Sequence, residues 1–526
     1  MVSRLRSSVG PGGLATLLAL LAWGLAPVVY LLVEAAASDR SISGADGLFA
    51  ADQLQYLAWI RSAGEHVLAA NGFDLRLGAH VYLHPMWLLS GLAWRAGAGI
   101  ALSYLLWLPI AAVLLFAGFR AYVQRLVAPG RGRIAALVIA LFFVTPAHAL
   151  FGWLALPGAS SVGLFAGELS PALELWGYAP IVIALALMPL FLLGIERILD
   201  PGRRAAGSSA RSYVPWTSVA GALASWLHPW QGETLLLVVA GLLLWRREQR
   251  SLPRLAVPVA ATLAPLLYYG ALARWDSAWA VGRTQTDVPR PSLVYLALDL
   301  APLALLVLAA PRRFGADTQE RMLWLWPPAA AIVYAISFNQ GYGLHSIEGL
   351  SLPLSILAVR GWQRLRLPAA LGATAVLAAT MPGLLFSAHV EHRTIRSAQQ
   401  PFLLRGDEVR ALAFLDRARG EGGVLSSERL AAAVPAYTGR RTWQGHLSWT
   451  PDFLIRSGEA SALFGGRLDG GAAQALVRRV GARFVLSDCA ERRDLAPLLA
   501  PVLRAVRRFG CASIYELDVS AAPALL

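Results

Sequence analysis

Long apolar runs alternate with short arginine-bearing loops from residue 14 to about residue 386, and the pattern changes in kind after that. A helix needs about 20 apolar residues to cross the hydrocarbon core of a bilayer. With that length, and with arginine-rich loops assigned to the inner side, the chain predicts about eleven spans. They cover roughly 14–36, 101–124, 133–154, 177–198, two short helices within 214–246, then 252–273, 292–310, 322–338, 346–359 and 367–386. Proline disfavours helix in the residue before it, so the two short helices are expected to meet at HPWQGE, His228 to Glu233. A break at membrane depth has to be buried in protein or line a wet cavity.

The loop 37–100 is too polar to cross and is expected on the outside. Within it, Leu54, Leu57, Ile60 and Val67 recur at helical spacing over 51–70. Residues 84–97 are apolar but too short to span, and read as a second interfacial helix. Counting them as a span would invert every later loop and put the basic RLVAPGRGR outside. In the tail, the β-rich runs GGVLSS, ARFVLSD and ASIYEL alternate with helical patterns at 407–419, 471–480 and 491–504. The expected fold class is therefore mainly α, a polytopic helical membrane protein with a C-terminal extracytoplasmic α/β domain. Residues 1–386 form the transmembrane domain, with interfacial helices in the outer loop 37–100, and 387–526 form the tail domain.

Composition agrees with that class. Of 526 residues 56% are hydrophobic, and the mean hydropathy is +0.53, which is a membrane-protein value. The net charge is +14, and every one of the 46 basic residues is arginine. They cluster in loops between apolar runs, so the charge reads as topology and not as a nucleic-acid surface. Arginine-only, alanine- and glycine-rich usage fits a GC-rich, actinobacterial genome. The basic start could introduce a signal peptide, with AAAS near residue 38 as a cleavage site; the long run Leu14–Val33 favours an uncleaved first span.

Polar groups gather directly after that span: Asp46, Asp52, a glutamine, a tyrosine and His66, His80 and His84. Such groups beside a membrane mark working sites. Asp52-Gln53-x-x-Tyr56, followed by His84-Pro85 opening an apolar helix, resembles the integral-membrane glycosyltransferases of the GT-C superfamily. That group includes protein O-mannosyltransferases and the aminoarabinose transferases of lipid A. Its members typically carry an Asp-Glu/Asp pair and a tyrosine in the first outer loop, then a proline-led apolar helix, many spans and an outer tail domain. The motif covers about 46–87 and the layout most of the chain. Gln53 stands where the second acid is often found, which leaves Asp52 as the single expected base.

The resemblance implies a polyprenyl-phosphate sugar donor in the plasma membrane, a glycan, lipid or protein acceptor, and inversion at the sugar. Gln53, Tyr56 and His84 would then lie near substrate. Such a transfer needs a base for the acceptor hydroxyl and positive groups for the departing phosphate. Asp52 is placed for the first task, though it also suits a helix cap; Asp46, before Gly47, reads as a turn residue.

For the phosphate, Arg274, Arg283 and Arg290 lie in an outer loop that should be poor in arginine. Guanidinium forks suit phosphate oxygens, with Arg283 favoured; pairing with Asp276 and Asp287 is the alternative. Trp275 and Trp279 suit an interfacial belt or a sugar face. His345 and Glu348 sit one turn apart at the outer end of the tenth span, either as a locking pair or, for His345, as a phosphate contact by analogy with GT-C enzymes. His228 and Glu233 flank the break, and Glu168 and Glu174 fall in the second outer loop, where they could line an acceptor site.

The tail motif TGRRTWQGHLSWTPDF (438–453) suits sugar binding or packing. Cys489 ends one expected strand and Cys511 opens another, so an outside disulfide is possible. No metal ligand set is assigned, and a divalent-metal requirement stays open. The competing readings are a transporter or flippase of a lipid-linked or small solute, against which stands the lack of an internal repeat, and a non-catalytic scaffold.

Overall fold

Apolar sequence from Pro11 onward forms one helix, Pro11–Ala36, that continues through Pro27. The computed structural model describes residues 10–76, 78–203, 205, 208–246, 252–284, 292–312, 317–337, 343–491 and 493–518. The chain divides into two compact units. One comprises Met1–Ala26, Trp107–Gly270 and Thr286–Glu391; the other comprises Pro27–Leu106, Ala271–Gln285 and His392–Leu526.

Among the described residues, five helices are long and apolar enough to cross a membrane: Pro11–Ala36, Ile100–Leu126, Ala179–Leu199, Pro253–Trp275 and Ala369–Ser397. Arg131–Phe142 and Pro146–Trp153, bent by 44°, count as a sixth if taken as one span. Among the described residues, therefore, not all of the expected eleven runs form long helices. Proline is the local reason in two places. Thr145 leads into Pro146 at the bend, and His228 closes Val214–Leu227 in extended backbone ahead of Pro229, as its neighbour requires. The remaining apolar runs form Pro229–Arg246, Leu293–Leu308, Thr318–Ser337 and Ser351–Arg364.

In the first unit, Ala179–Leu199 is buried over 89% of its most apolar window. Small residues let its neighbours approach, which is how helices associate in lipid. A Cβ on Gly118 would lie 2.2 Å from Ala186 O, and one on Gly194 would lie 2.1 Å from Thr217 Oγ1. Two buried or half-buried arginines in this unit are paired with acids. Arg125 holds Glu196 (3.0 Å) and also Asp317, and Arg360 grips both oxygens of Glu320 at 2.7 Å.

In the second unit, β1 (Arg40–Ile42) pairs antiparallel with β2 (Leu403–Arg405), with Ser41 opposite Leu404. The helix Ala50–His66 buries Leu54, Leu57, Trp59 and Ile60. The helix Pro85–Arg95 crosses it at Gly91, whose Cβ would lie 2.6 Å from Gly64 N. Its Leu89 and Leu92 face outward, more than half exposed.

The tail carries a sheet of order β3-β4-β6-β5, formed by Val424–Ser426, Phe484–Ser487, Ala512–Leu517 and Leu503–Phe509. β3 and β4 run parallel, and the other pairs are antiparallel. The helices Gly406–Arg417 and Gly470–Val480 fall where the helical pattern places them. The pattern at 491–504 holds only in part: a short turn, Ala496–Leu499, and a 3-10 turn, Ala500–Val502, precede β5. β5 is an edge strand with no fully buried position, so hydrophobic alternation had nothing to mark, and its arginines suit an exposed edge. Cys489 and Cys511 are bonded, with Cα atoms 4.8 Å apart. The boundary drawn at 386/387 falls inside the helix Ala369–Ser397, and loop 37–100 belongs to the same unit as the tail.

Gly118→Leu is expected to overpack the central helix pair and cost about 1–3 kcal/mol. Gly270→Leu, at a position with no neighbour within 4 Å, should melt like the wild type. Thermal unfolding in detergent compares the two; equal melting would contradict the packing described.

Candidate functional site

Asp52 lies in the first turn of Ala50–His66, whose cap is Phe49 with no side-chain bond. Asp52 is therefore not the helix cap. Its Oδ1 lies 2.8 Å from Nε2 of His446, 394 positions further along the chain. The imidazole is buried, while 31% of the Asp52 side chain is exposed. The loop that delivers His446 is stitched to the tail sheet. Thr442 bridges to Val424 and donates its N–H to Gly72 O at 2.9 Å, and Gln444 Nε2 donates to Ser426 O at 2.9 Å.

Other residues singled out after the first span divide by role. Tyr56 stacks on Trp87 with ring centres 4.8 Å apart. His84 Nδ1 accepts from Trp87 N at 3.4 Å and its ring stacks on Trp87, so it starts a helix, as a residue before Pro85 can. Gln53 is fully buried and its amide makes no hydrogen bond among the described residues. Asp46 is fully buried rather than placed in a surface turn.

The aromatic residues form a plug and not an open sugar face. Tyr82 meets Trp279 at 4.1 Å, Trp279 meets Trp449 at 4.7 Å, and Trp449 meets Trp59 at 5.2 Å. Trp279 is accordingly buried, whereas Trp275 is 82% exposed. Asn71 Nδ2 ties the plug together through Trp449 O (2.9 Å) and Ala278 O (3.3 Å).

The plug anchors the arginine loop. Asp276 Oδ1 accepts from Ala278 N at 2.8 Å and opens the helix Ser277–Thr284. Arg274 is exposed at the end of the preceding helix. The Arg283 side chain, Arg290 and Asp287 lie outside the described residues.

The first unit holds a separate polar cluster. His345 Nδ1 lies 3.0 Å from Glu168 Oε2 and 2.7 Å from Glu348 Oε1. His228 Nδ1 is 3.5 Å from Glu348 Oε2, and Gln231 Nε2 donates to His345 O (2.9 Å) and Glu348 Oε2 (3.2 Å). Burial pulls the His345 imidazole down, but Glu168 and Glu348 outweigh it and hold the group well above the usual histidine range. Its charge is thus committed to carboxylates, which makes it a poor partner for a phosphate.

Two sets of ligand atoms there, His228/His345/Glu348 and Glu168/Glu174/Glu348, lie within 4.8 Å of one another. Imidazole and carboxylate donors of this kind suit a divalent transition ion, and the same atoms also satisfy one another as an ion-paired cluster. Glu233, in the first turns of Pro229–Arg246, belongs to neither set. The sequence reading did not single out Gln231, and it met His446 only as part of a mixed tail motif.

No protein-family model matches the chain, and no curated protein sequence matches it significantly. Solved structures do match. The chain shares its fold with ArnT from Cupriavidus metallidurans bound to undecaprenyl phosphate, at TM-score 0.51 and 12% identity over 95% of this chain and 99% of that one. It also matches the oligosaccharyltransferase AglB from Archaeoglobus fulgidus in complex with an inhibitory peptide and a dolichol-phosphate, at TM-score 0.50 and 12% identity over 98% of this chain and 75% of that one. The chain therefore has the same overall fold as these two proteins.

His345→Leu is expected to strand two buried carboxylates, at a cost of about 3–5 kcal/mol. Because the folded value is raised, the wild-type advantage is full below the ordinary histidine value of about 6.5. It is lost as pH rises through the raised folded value. Melting of both proteins across a pH series reads this directly; a gap that widens with pH would contradict it.

Proposed function

We propose that the chain is a glycosyltransferase that moves a sugar from a polyprenyl-phosphate donor to an envelope glycan, lipid or protein. The reaction takes place on the outer face of the plasma membrane, where the tail domain also lies. The observation that carries this reading is Asp52, a partly exposed carboxylate fixed by a buried imidazole in a fold shared with proteins solved on undecaprenyl and dolichol phosphates.

Asp52 takes the proton of the acceptor hydroxyl as its oxygen attacks the anomeric carbon. The bond from that carbon to the phosphate oxygen breaks, and its electron pair leaves on the phosphate. One displacement from the opposite face inverts the sugar. Arg274 and Arg283 meet the charge that develops on the departing phosphate. His345 is left out of that task because two carboxylates already hold it.

Purified protein incubated with radiolabelled polyprenyl-phosphate sugars tests this. Asp52→Asn is expected to lower turnover by about 10²–10⁴-fold with unchanged melting. Equal turnover in both proteins would remove Asp52 from its role. Absence of turnover, together with vectorial movement of solute in liposomes, would favour a transporter instead.

A further inference from the structure

We infer that His446 is a positioning residue for Asp52, so that the tail, through this side chain, belongs to the reaction centre. The inference rests on the reading of Asp52 as the base.

The geometry assigns a direction to the pair. Ser448 N lies 3.1 Å from His446 Nδ1 and has to end on an acceptor. Only a ring nitrogen can accept there, which fixes the orientation of the ring and makes Nδ1 the acceptor. The remaining nitrogen, Nε2, then carries the N–H that donates to Asp52 Oδ1 at 2.8 Å. Which nitrogen bears the proton is set by the bond at the other one.

His446 itself is badly placed to be the base. It is 6% exposed, and both its nitrogens have partners. The pair therefore works in one sense: the buried ring orients, and the more exposed carboxylate reacts.

The loop around His446 is built to hold that aim. His446 N donates to Thr450 Oγ1 at 3.3 Å, and Thr450 N returns a bond to His446 O at 2.9 Å. The Phe73 ring lies against the imidazole at 5.8 Å. The preceding residue has to be glycine, because a Cβ on Gly445 would lie 2.9 Å from Phe73 and 3.0 Å from Ala431 C. A carboxylate in the first turn of a helix has its rotamer held by such a partner, and misplacement of a reacting group by about 1 Å can cost about 10²-fold in rate.

Two substitutions separate this role from simple packing. Gln places an amide N–H about where Nε2 sits, so His446→Gln keeps the donor to Asp52. Asn reaches only to the position of Nδ1, so His446→Asn keeps the contact with Ser448 N and loses the donor. With Asp52→Asn run alongside, kcat, KM for the lipid donor and the pH–rate profile are measured on proteins that melt like wild type. His446→Asn should lower kcat by about 10²-fold with KM unchanged. Because an N–H donor favours the ionised carboxylate, its loss should also move the acid limb up by about one pH unit. His446→Gln should recover at least about tenfold of that loss and return the acid limb.

A His446→Asn protein with wild-type kcat and pH profile would overturn the inference. So would equal loss in both variants with the acid limb unmoved, which is the mark of packing alone. An inactive Asp52→Asn beside an unaffected His446→Asn would leave Asp52 as the base and remove His446. An active Asp52→Asn would overturn the reading of Asp52 itself.

Discussion

A single hydrogen bond between a carboxylate near the start of the chain and an imidazole near its end sets the requirement that the second unit has to meet. A bond over such a separation exists only if both segments are independently fixed, because holding two free loops together costs more conformational entropy than one bond returns. The unit meets that cost by repetition. β1 pairs with β2. Tyr437 Oη donates to Ser43 O at 2.7 Å, and Arg61 spans Tyr437 O and Asp416. Arg456 reaches Asp74 at 3.1 Å while its guanidinium lies 3.9 Å above the Trp443 ring. Each contact is worth little alone; together they make loop 37–100 part of the tail's fold.

The polar cluster of the other unit follows a different logic. Glu168, Glu174 and Glu348 are all buried, and ionised acids removed from water need a partner close by. His345 supplies it, and the acids in turn keep it charged.

Much of the helical layout was legible in the sequence, because an unbroken apolar run has few other folded forms. The break at His228-Pro229 was legible too, since proline acts on its neighbour locally. The count of spans was less so: whether a run of 14 to 18 residues crosses a membrane depends on its neighbours, not on its own composition. β5 escaped because an exposed edge strand buries no face. In the site, His84 was expected near substrate, and its position before a proline also made it legible as a helix start. Trp279 read as interfacial when it is a plug residue. The partnership of Asp52 with His446 left no local trace, since neither segment carries a pattern that refers to the other. Only the mix of histidine and tryptophan in TGRRTWQGHLSWTPDF hinted that the tail held more than packing.

The account stands or falls on where a lipid-borne sugar binds. A cryo-EM structure in nanodiscs with a non-cleavable polyprenyl-phosphonate sugar, trapped with an acceptor analogue, measures that directly. The account predicts the acceptor hydroxyl within about 3 Å of an Asp52 oxygen, or one water away. A sugar bound with its acceptor beside another carboxylate, and Asp52 out of that reach, would contradict it.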